Sequence, residues 1–204
     1  MTTGPLPSLI GEAQQHGFVG PGPVERAIAH ARGFADGLAA PPARFLDLGS
    51  GGGLPGLVLA TLWPSASATL LDANKRRCTF LSKAVDELGL TDRVSVVFSR
   101  AEDAGRMPDL RGAFDLVAAR SFGPPAVTAE CAAPFLRPAG HLVVSEPPDS
   151  DDRWPADGML ILGLHPADSW TTPLPAHFRS FVQAVPCPER YPRRVGIPSK
   201  RPLF

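Results

Sequence analysis

RFLDLGSGGGLPGLVLATLWPSASATLLD (residues 44–72) is the stretch of sequence that decides the fold. A short apolar run meets a cluster of glycines, a helix-length apolar segment follows, and a second apolar run ends in Asp72. This order predicts a strand, a turn, a helix and a second strand. It is the pattern of a βαβ nucleotide-binding unit, in which glycines let the backbone approach the ligand and the acid after the second strand binds ribose hydroxyls.

Predicted strands and helices continue to alternate outward from this unit. Strict alternation requires a parallel sheet with helices on both faces, and ligands of such sheets bind at the carboxyl ends of the strands. We therefore predict an α/β fold built on a doubly wound, mostly parallel, seven-stranded Rossmann-like sheet. The strands are expected at residues 45–48, 68–71, 94–98, 114–118, 141–145, 159–164 and 178–185, and the main helices at residues 23–38, 54–63, 75–88 and 124–136.

Length and composition bound the domain organisation. A chain of 204 residues with 44% hydrophobic residues is long enough for one well-buried domain and short for two. We expect residues 1–43 to form an N-terminal arm and a helix packed on the core, and residues 44–204 to form the ligand-binding domain. An acidic, solvated loop is expected at residues 147–158. The basic tail at residues 190–204 contrasts with a formal net charge of zero for the whole chain.

Cysteine usage and hydropathy bear on the compartment and on metal binding. The three cysteines, Cys78, Cys131 and Cys187, form no Cys-x-x-Cys pair, which favours buried thiols in a reducing compartment over disulfides or a metal site. The chain opens without a signal sequence, and no apolar run reaches the roughly 18 residues of a membrane span. We expect a cytoplasmic monomer with no metal and no membrane partner.

The residues around the glycine turn limit the class of ligand. Nucleoside triphosphates need a Gly-Lys-Ser/Thr ending, which this turn lacks, whereas the spacing from Gly51 to Gly56 leaves a dinucleotide possible. Asp47, just before the turn, would repel pyrophosphate and attract the ammonium and sulfonium groups of S-adenosylmethionine. S-Adenosylmethionine is therefore favoured, with Asp72 on its ribose. In the alternative interpretation, Asp47 only caps the turn and Asp72 only caps the helix that Asn74 begins.

Other candidate residues follow the third and fourth predicted strands. Ala101 and Glu102, in SRAED (residues 99–103), lie where a methyltransferase contacts adenine, although Glu102 is equally plausible as a solvated loop acid. Arg120, after the fourth strand, is expected to face the cleft, with a surface arginine as the alternative. The five histidines lie outside the glycine turn and the end of the fourth strand, which leaves no evident general base there.

Several of these segments together resemble one bacterial family. They are DLGSGGGLPG (residues 47–56), LLDANKRRCTFL (70–81), SRAED (99–103), FDLVAARSF (114–122) and the terminal RYPRRVGIPSKRPL (190–203). Over about residues 44–145 and the last 15, the chain is similar to the RsmG family, also called glucose-inhibited division protein B. The resemblance implies an S-adenosylmethionine-dependent methyltransferase that methylates N7 of a guanine in small-subunit (16S) ribosomal RNA and releases S-adenosylhomocysteine.

The resemblance also assigns roles to individual residues. The cofactor would be bound by Asp47, Gly49, Ser50, Gly51, Gly53, Leu54, Asp72, Ala73, Ala101, Glu102 and Arg120. Arg120 would also lie beside the reacting centre as the catalytic residue. Ribosomal RNA, in the small ribosomal subunit, would contact Arg190, Arg193, Arg194 and Lys200.

Two departures from the family pattern concern the acceptor. Before the first strand, the chain lacks the family's Trp-Asn...Asn-Leu-Thr and His-x-x-Asp-Ser-Leu elements, and its fifth strand ends in Ser145-Glu146-Pro147-Pro148 where Lys-Gly is usual. Two alternatives therefore stay open: a paralogue that methylates a small molecule with Glu146 as the base, and a non-catalytic cofactor-binding protein. Methylation at N7 requires no base, because that nitrogen carries an exposed lone pair.

Overall fold

A computed structural model describes residues 4–147 and 153–204 of the chain. Its strands are β1 (Arg44–Leu48), β2 (Ser67–Asp72), β3 (Val94–Phe98), β4 (Phe114–Ala119), β5 (Leu136–Glu146), β6 (Leu164–Thr171) and β7 (His177–Gln183). They form one seven-stranded sheet in the order β3-β2-β1-β4-β5-β7-β6, with β7 antiparallel to both of its neighbours. The predicted doubly wound, mostly parallel sheet is therefore confirmed.

Helices cover both faces of the sheet. They are α1 (Leu6–Gln15), α2 (Val24–Arg32), α3 (Gly56–Leu62), α4 (Lys75–Glu87), α5 (Ala101–Ala104), α6 (Pro125–Ala132), α7 (Ala156–Leu160) and α8 (Ile197–Lys200), with a 3-10 turn (Ala133–Phe135) after α6. Apolar residues of α1 to α4 form one core with one face of the sheet. Those of α5 to α7 form a second core with the other face. The N-terminal helices α1 and α2 thus share a core with the strands, while a domain division at residue 43 stays a prediction.

Helix α4 shows how the local sequence sets an element boundary. The predicted N-cap is observed: Asn74 Oδ1 accepts hydrogen bonds from Arg76 N at 2.9 Å and from Arg77 N at 3.3 Å. These bonds satisfy two of the amides that a helix start leaves without a partner inside the helix. The cap fixes the position of Asp72, which ends β2 two residues earlier.

The strand predicted at residues 159–164 is wrong. The segment begins inside α7, continues into a turn and only then enters β6. Met159 and Leu162 are buried, whereas Leu160 and Ile161 are 46% and 40% exposed, which is the spacing of a helical turn and not the alternation of a strand. A short apolar run is compatible with either element, so the pattern alone could not decide between them.

Helix α2 ends earlier than the predicted residues 23–38. Its last turn meets β6 and β7: the carbonyl oxygen of Gly33 accepts a hydrogen bond from Trp170 Nε1 at 2.8 Å. A Cβ atom at Gly33 would lie only 2.6 Å from the ring of Phe178. The chain leaves the helix where these aromatic side chains require close approach, and Phe34 still enters the core fully buried.

The acidic loop predicted at residues 147–158 is only partly described, because residues 148–152 lie outside the described ranges. Trp154 is buried, and its ring centroid lies 4.8 Å from that of Phe181. The prediction of a solvated loop is therefore wrong at Trp154, where an aromatic side chain gains more by packing than by exposure.

The described residues contain neither a metal-binding cluster nor a membrane-spanning helix. Within residues 4–147 and 153–204, no group of three or more His, Cys, Asp or Glu side chains is placed to hold a metal ion. In the same residues, no helix combines the length and the apolar composition that crossing a membrane requires. The three cysteines are buried free thiols, as the sequence predicts.

Candidate functional site

The glycine turn lies at the carboxyl end of β1, where the sheet changes its direction of growth between β1 and β4. Gly49 N and Ser50 N each donate a hydrogen bond to the carbonyl oxygen of Leu71 at 2.9 Å, which ties the turn to β2. Gly49 has a φ of +74°, and a Cβ atom there would lie 2.7 Å from the ring of Phe122. The left-handed backbone and this close approach together require glycine.

Asp47 lies beneath the turn and is fully buried. Its Oδ2 accepts a hydrogen bond from Gly56 N at 2.9 Å, so the carboxylate holds the first residue of α3. Its Oδ1 is buried and has no hydrogen-bond partner in the described part of the chain. Burial raises the pKa of Asp47 to about 7, although the Gly56 bond, the Ser50 hydroxyl and the positive charge of Arg120 oppose the shift.

Asp72 lies beside the same turn at the end of β2. Its Oδ2 accepts a hydrogen bond from Gly51 N at 2.9 Å, and its Oδ1 accepts one from Asn74 N at 2.8 Å. Arg77 Nη1 lies 3.7 Å from Oδ2. Asp72 therefore supports Asn74, the residue that caps α4, and does not itself cap the helix amides. These bonds do not exclude ligand binding, because each carboxylate oxygen offers a second lone pair.

A cavity of about 140 Å³, here called the adenosine cavity, opens beside Asp72. Its lining includes Asp72, Ala73, Ala101, Glu102, Phe122 and Ser199. Glu102 is only 4% exposed, and its Oε1 accepts a hydrogen bond from Gly196 N at 2.9 Å. The interpretation of Glu102 as a solvated loop acid is therefore excluded.

A second cavity of about 210 Å³, here called the turn cavity, lies across the glycine turn. Its lining includes Phe18 and Val19 from the N-terminal segment, Leu54 from the turn, and the basic residues Arg77 and Arg120. Burial lowers the pKa of Arg120, and the neighbouring Asp47 only partly opposes the shift. Among the described residues, none accepts a hydrogen bond from Arg120. At the end of β4, the structure thus has a cation to which the described part of the chain offers no hydrogen-bond acceptor.

A third cavity of about 350 Å³, here called the acceptor cavity, adjoins the other two. It shares Phe122 with the adenosine cavity and Ser121 with the turn cavity. Its remaining lining includes Glu146 at the end of β5, Arg153 and His30.

His30 corrects the inference that the histidines lie away from the cleft: α2 brings it there from a distant part of the sequence. Burial, and to a lesser extent the charge of Arg120, lower the pKa of His30 to about 4. The imidazole is therefore neutral near pH 7 and is a weak base.

The C-terminal segment packs against the site and does not extend as an arm. Arg193 Nε and Nη2 donate to the carboxylate of the fully buried Glu130 at 2.6 to 3.1 Å, and Arg193 N donates to the same group at 2.8 Å. Arg111 donates to the carbonyl oxygens of Cys187 and Tyr191 at 2.9 and 2.8 Å. These bonds bring Gly196 and the following residues onto the adenosine cavity.

Arg193 therefore differs from the other basic residues predicted to contact RNA. Its guanidinium is bound by a buried acid, so grouping it with Arg190, Arg194 and Lys200 is corrected. Those three side chains are exposed. An arginine held by two carboxylate oxygens has a structural partner, whereas exposed cations are available to phosphates.

The structure brings most of the predicted cofactor residues together around the adenosine and turn cavities, whereas Asp47 and Gly53 are in the lining of neither. It also adds residues that the sequence did not single out. Phe122 ends FDLVAARSF, one of the segments that resemble the family, so the sequence could have indicated it. Arg77 lies in the first turn of α4, where the helix pattern gave it no special role. Phe18 and Ser199 come from the two ends of the chain, and no local pattern indicates that they return to the turn.

Comparison with known proteins identifies relatives of this chain. A family model described as GidB, rRNA small subunit methyltransferase G, matches residues 34–154. The ribosomal RNA small subunit methyltransferase G of Parasynechococcus marenigrum is 39% identical over 165 residues, which cover 78% of this chain and 66% of that protein. The Carboxydothermus hydrogenoformans protein of the same name is 38% identical, with 78% and 70% covered. The chain thus spans about two thirds of the length of these relatives.

Solved structures of methyltransferases share the fold at low sequence identity. A putative sarcosine dimethylglycine methyltransferase from Galdieria sulphuraria superposes with a TM-score of 0.60 at 14% identity, covering 79% of this chain and 87% of that one. A methyltransferase from Pyrococcus furiosus gives a TM-score of 0.60 at 14% identity, covering 78% and 83%. At such identities the likeness establishes the fold alone.

Replacing Arg193 by Met tests the structural role of the C-terminal segment. The substitution leaves the buried Glu130 carboxylate without its cation, and breaking a buried pair in this way costs roughly 3–5 kcal/mol. Arg194→Met, at the exposed neighbouring position, is the matched control and should change stability by less than about 0.5 kcal/mol. Urea denaturation of the two variants measures this difference. Equal stability of the two would contradict the role assigned to Arg193.

The pKa of Asp47 predicts how stability depends on pH. Because this pKa rises from 3.8 to about 7 on folding, the folded state retains a proton that the unfolded state releases, and stability falls as pH rises through that window. Asp47→Asn removes this titration, so its melting temperature should fall less than that of the wild type between pH 5 and about pH 8. If the melting temperatures of the two proteins fell equally between pH 5 and pH 8, Asp47 would not titrate in that range.

Proposed function

Because this chain belongs to the rRNA small subunit methyltransferase G family, we propose that it transfers a methyl group from S-adenosylmethionine to N7 of a guanine in small-subunit (16S) ribosomal RNA. The observation that carries the cofactor assignment is the orphan Oδ1 of Asp47, buried beneath the glycine turn. A cationic group of a bound ligand would provide the donor that Oδ1 lacks among the described residues. The reaction is assigned to the cytoplasm, with the protein acting as a monomer.

The two cavities beside the glycine turn fit the two halves of the cofactor. The adenosine cavity provides Asp72 for the ribose hydroxyls and the Ala101–Ala104 helix start, with Glu102, for the adenine edge. The turn cavity provides the backbone of the glycine turn, with Leu54 beside it, for the methionine half. A dinucleotide fits less well, because its pyrophosphate would approach the buried Asp47 carboxylate.

Arg120 is the residue proposed to position the methionine carboxylate. It lines the turn cavity, and its guanidinium donates no hydrogen bond to any described residue. A guanidinium binds a carboxylate through two parallel hydrogen bonds, which fix orientation as well as charge. Asp47 and Arg120 would then bind the ammonium and the carboxylate of one amino-acid group. This role puts Arg120 in contact with the cofactor, next to the reacting centre.

The chemistry at the acceptor requires positioning more than acid–base catalysis. The cofactor supplies a methyl group on a sulfonium, which leaves as a neutral thioether. Guanine N7 attacks with its lone pair, no proton is lost, and catalysis depends on holding the two reactants close and in line. The neutral, weakly basic His30 in the acceptor cavity is consistent with a reaction that needs no general base.

The exposed basic residues of the C-terminal segment are proposed to contact RNA. Arg190, Arg194 and Lys200 are exposed and lie next to the segment that covers the adenosine cavity. The formal net charge of the chain is zero, so RNA attraction has to come from local cations of this kind. Arg193 is removed from this group because Glu130 already binds it.

Methyl incorporation tests the proposed function. The protein, incubated with labelled S-adenosylmethionine, should label small ribosomal subunits that lack the mark and leave a total small-molecule extract unlabelled. Asp72→Asn should weaken cofactor binding by roughly tenfold or more, because it removes an anionic acceptor for ribose hydroxyls. Asp86→Asn, at an exposed position of α4, is the matched control. Label in the extract alone would favour the small-molecule alternative, and no label in either would favour the non-catalytic one.

Salt dependence tests the RNA contacts separately. The triple variant Arg190→Gln, Arg194→Gln and Lys200→Gln should bind RNA more weakly and show a shallower dependence of affinity on salt, by up to about one slope unit for each phosphate that is no longer neutralised. Its cofactor affinity should be unchanged. This design avoids truncation at Arg190, which would also remove the Arg193–Glu130 pair. An unchanged slope would exclude these side chains as phosphate contacts.

A further inference from the structure

The acceptor cavity has a polar wall that the assignment of the cofactor does not use. Glu146, at the end of β5, has a side chain that is only 4% exposed, and its Oε2 accepts a hydrogen bond from Arg153 Nη1 at 3.0 Å. Among the described residues, Arg153 is the only donor to this carboxylate, and both side chains line the cavity. The wall therefore presents hydrogen-bond acceptors beside hydrogen-bond donors.

This pattern matches one nucleobase edge. The Watson–Crick edge of guanine carries two adjacent donors, N1–H and the N2 amino group, next to the acceptor O6. Adenine presents the reverse at the corresponding positions, with the N6 amino group as donor and N1 as acceptor. A carboxylate accepts only, and a guanidinium donates only, so the pair suits guanine and opposes adenine.

We propose that the acceptor cavity binds the target guanine, with Glu146 accepting hydrogen bonds from N1–H and the N2 amino group and Arg153 donating to O6. The proposal rests on the proposed function, since it names the residues that select the base to be methylated. As far as the described residues show, Oε1 of Glu146 has both lone pairs available, and Oε2 retains one beside the Arg153 bond. Enzymes that modify a base commonly extrude it into such a pocket and bind its Watson–Crick edge.

The size of the cavity also suits a nucleobase. Its volume of about 350 Å³ is within the roughly 300–1,000 Å³ range of small-molecule sites. The aromatic side chains of Phe122 and Trp154 are part of its lining. N7 lies on the Hoogsteen edge of guanine, beside O6, so it stays free when Glu146 and Arg153 bind the Watson–Crick edge. Ser121 and Phe122 lie where this cavity meets the two cofactor cavities, so a base bound here is next to the cofactor.

The same geometry accounts for the acid at the end of the fifth strand. Lysine cannot accept a hydrogen bond from N1–H or from the N2 amino group, whereas glutamate can. The sequence alone left Glu146 open as a base for a small-molecule acceptor. Its ion pair with Arg153 instead holds it as a fixed acceptor in the cavity wall, and methylation at N7 leaves no proton for it to remove.

Binding of short RNAs tests the assignment without relying on methyl transfer. The protein loaded with S-adenosylhomocysteine is titrated with three pentaribonucleotides that carry guanine, adenine or inosine at the centre and uracil elsewhere. The wild type should bind the guanine oligonucleotide roughly tenfold more tightly than the adenine one, with inosine between them because it lacks the N2 amino group. Glu146→Gln and Arg153→Gln should each lose most of this preference.

Controls separate this inference from loss of folding and from failure of the proposed function. Glu87→Gln, on the exposed face of α4, should keep the preference, and all variants should keep a cooperative melting transition and their S-adenosylhomocysteine affinity. A wild type without preference for guanine, or a folded Glu146→Gln variant that retains it, overturns the assignment even if ribosomal subunits are methylated. If guanine is preferred but subunits are not methylated, the base pocket is supported and the proposed function fails.

Discussion

The carboxylate of Asp47 is the constraint on which the site depends. One of its oxygens holds the amide of Gly56, and through it the start of α3, while the other is buried without a partner among the described residues. The contact also explains Gly56 itself: a Cβ atom there would lie 2.5 Å from Asp47 Oδ2. A site that stores an unsatisfied carboxylate is less stable alone than with a cationic ligand, so folding and cofactor binding are coupled at this residue.

The site is closed by parts of the chain that are far apart in sequence. The glycine turn supplies its floor, the N-terminal segment contributes Phe18 to the turn cavity, and the C-terminal segment contributes Ser199 to the adenosine cavity. Buried polar contacts hold this C-terminal cover, chiefly the bonds from Arg193 to Glu130 and from Gly196 to Glu102. The covering segment thus joins cofactor binding to the exposed cations proposed to meet RNA, in a member of the rRNA small subunit methyltransferase G family.

Local sequence predicts most of the strands and helices and the residues around the glycine turn, because both depend on interactions between neighbours in the chain. The spacing around Asp47, the acid at Asp72 and the Asn74 cap each follow from a few neighbouring residues. The sequence does not show in the same way which distant residues the fold brings to the site. His30 reaches the acceptor cavity from α2, and the ion-pair partner of Glu146 is Arg153, seven residues further along the chain. A basic tail likewise resembles a solvated arm until its partner, a buried acid such as Glu130, is known.

Carbon-13 chemical shifts of the Asp47 carboxyl group, followed by NMR from about pH 5 to pH 8 with and without S-adenosylmethionine, test the central claim most directly. In the free protein the carboxyl group should titrate with a pKa of about 7. In the complex it should stay ionised across the whole range, because the ammonium of the cofactor stabilises the anion. A carboxyl group that is already ionised at the acid end without cofactor, or whose titration the cofactor leaves unchanged, would contradict the account.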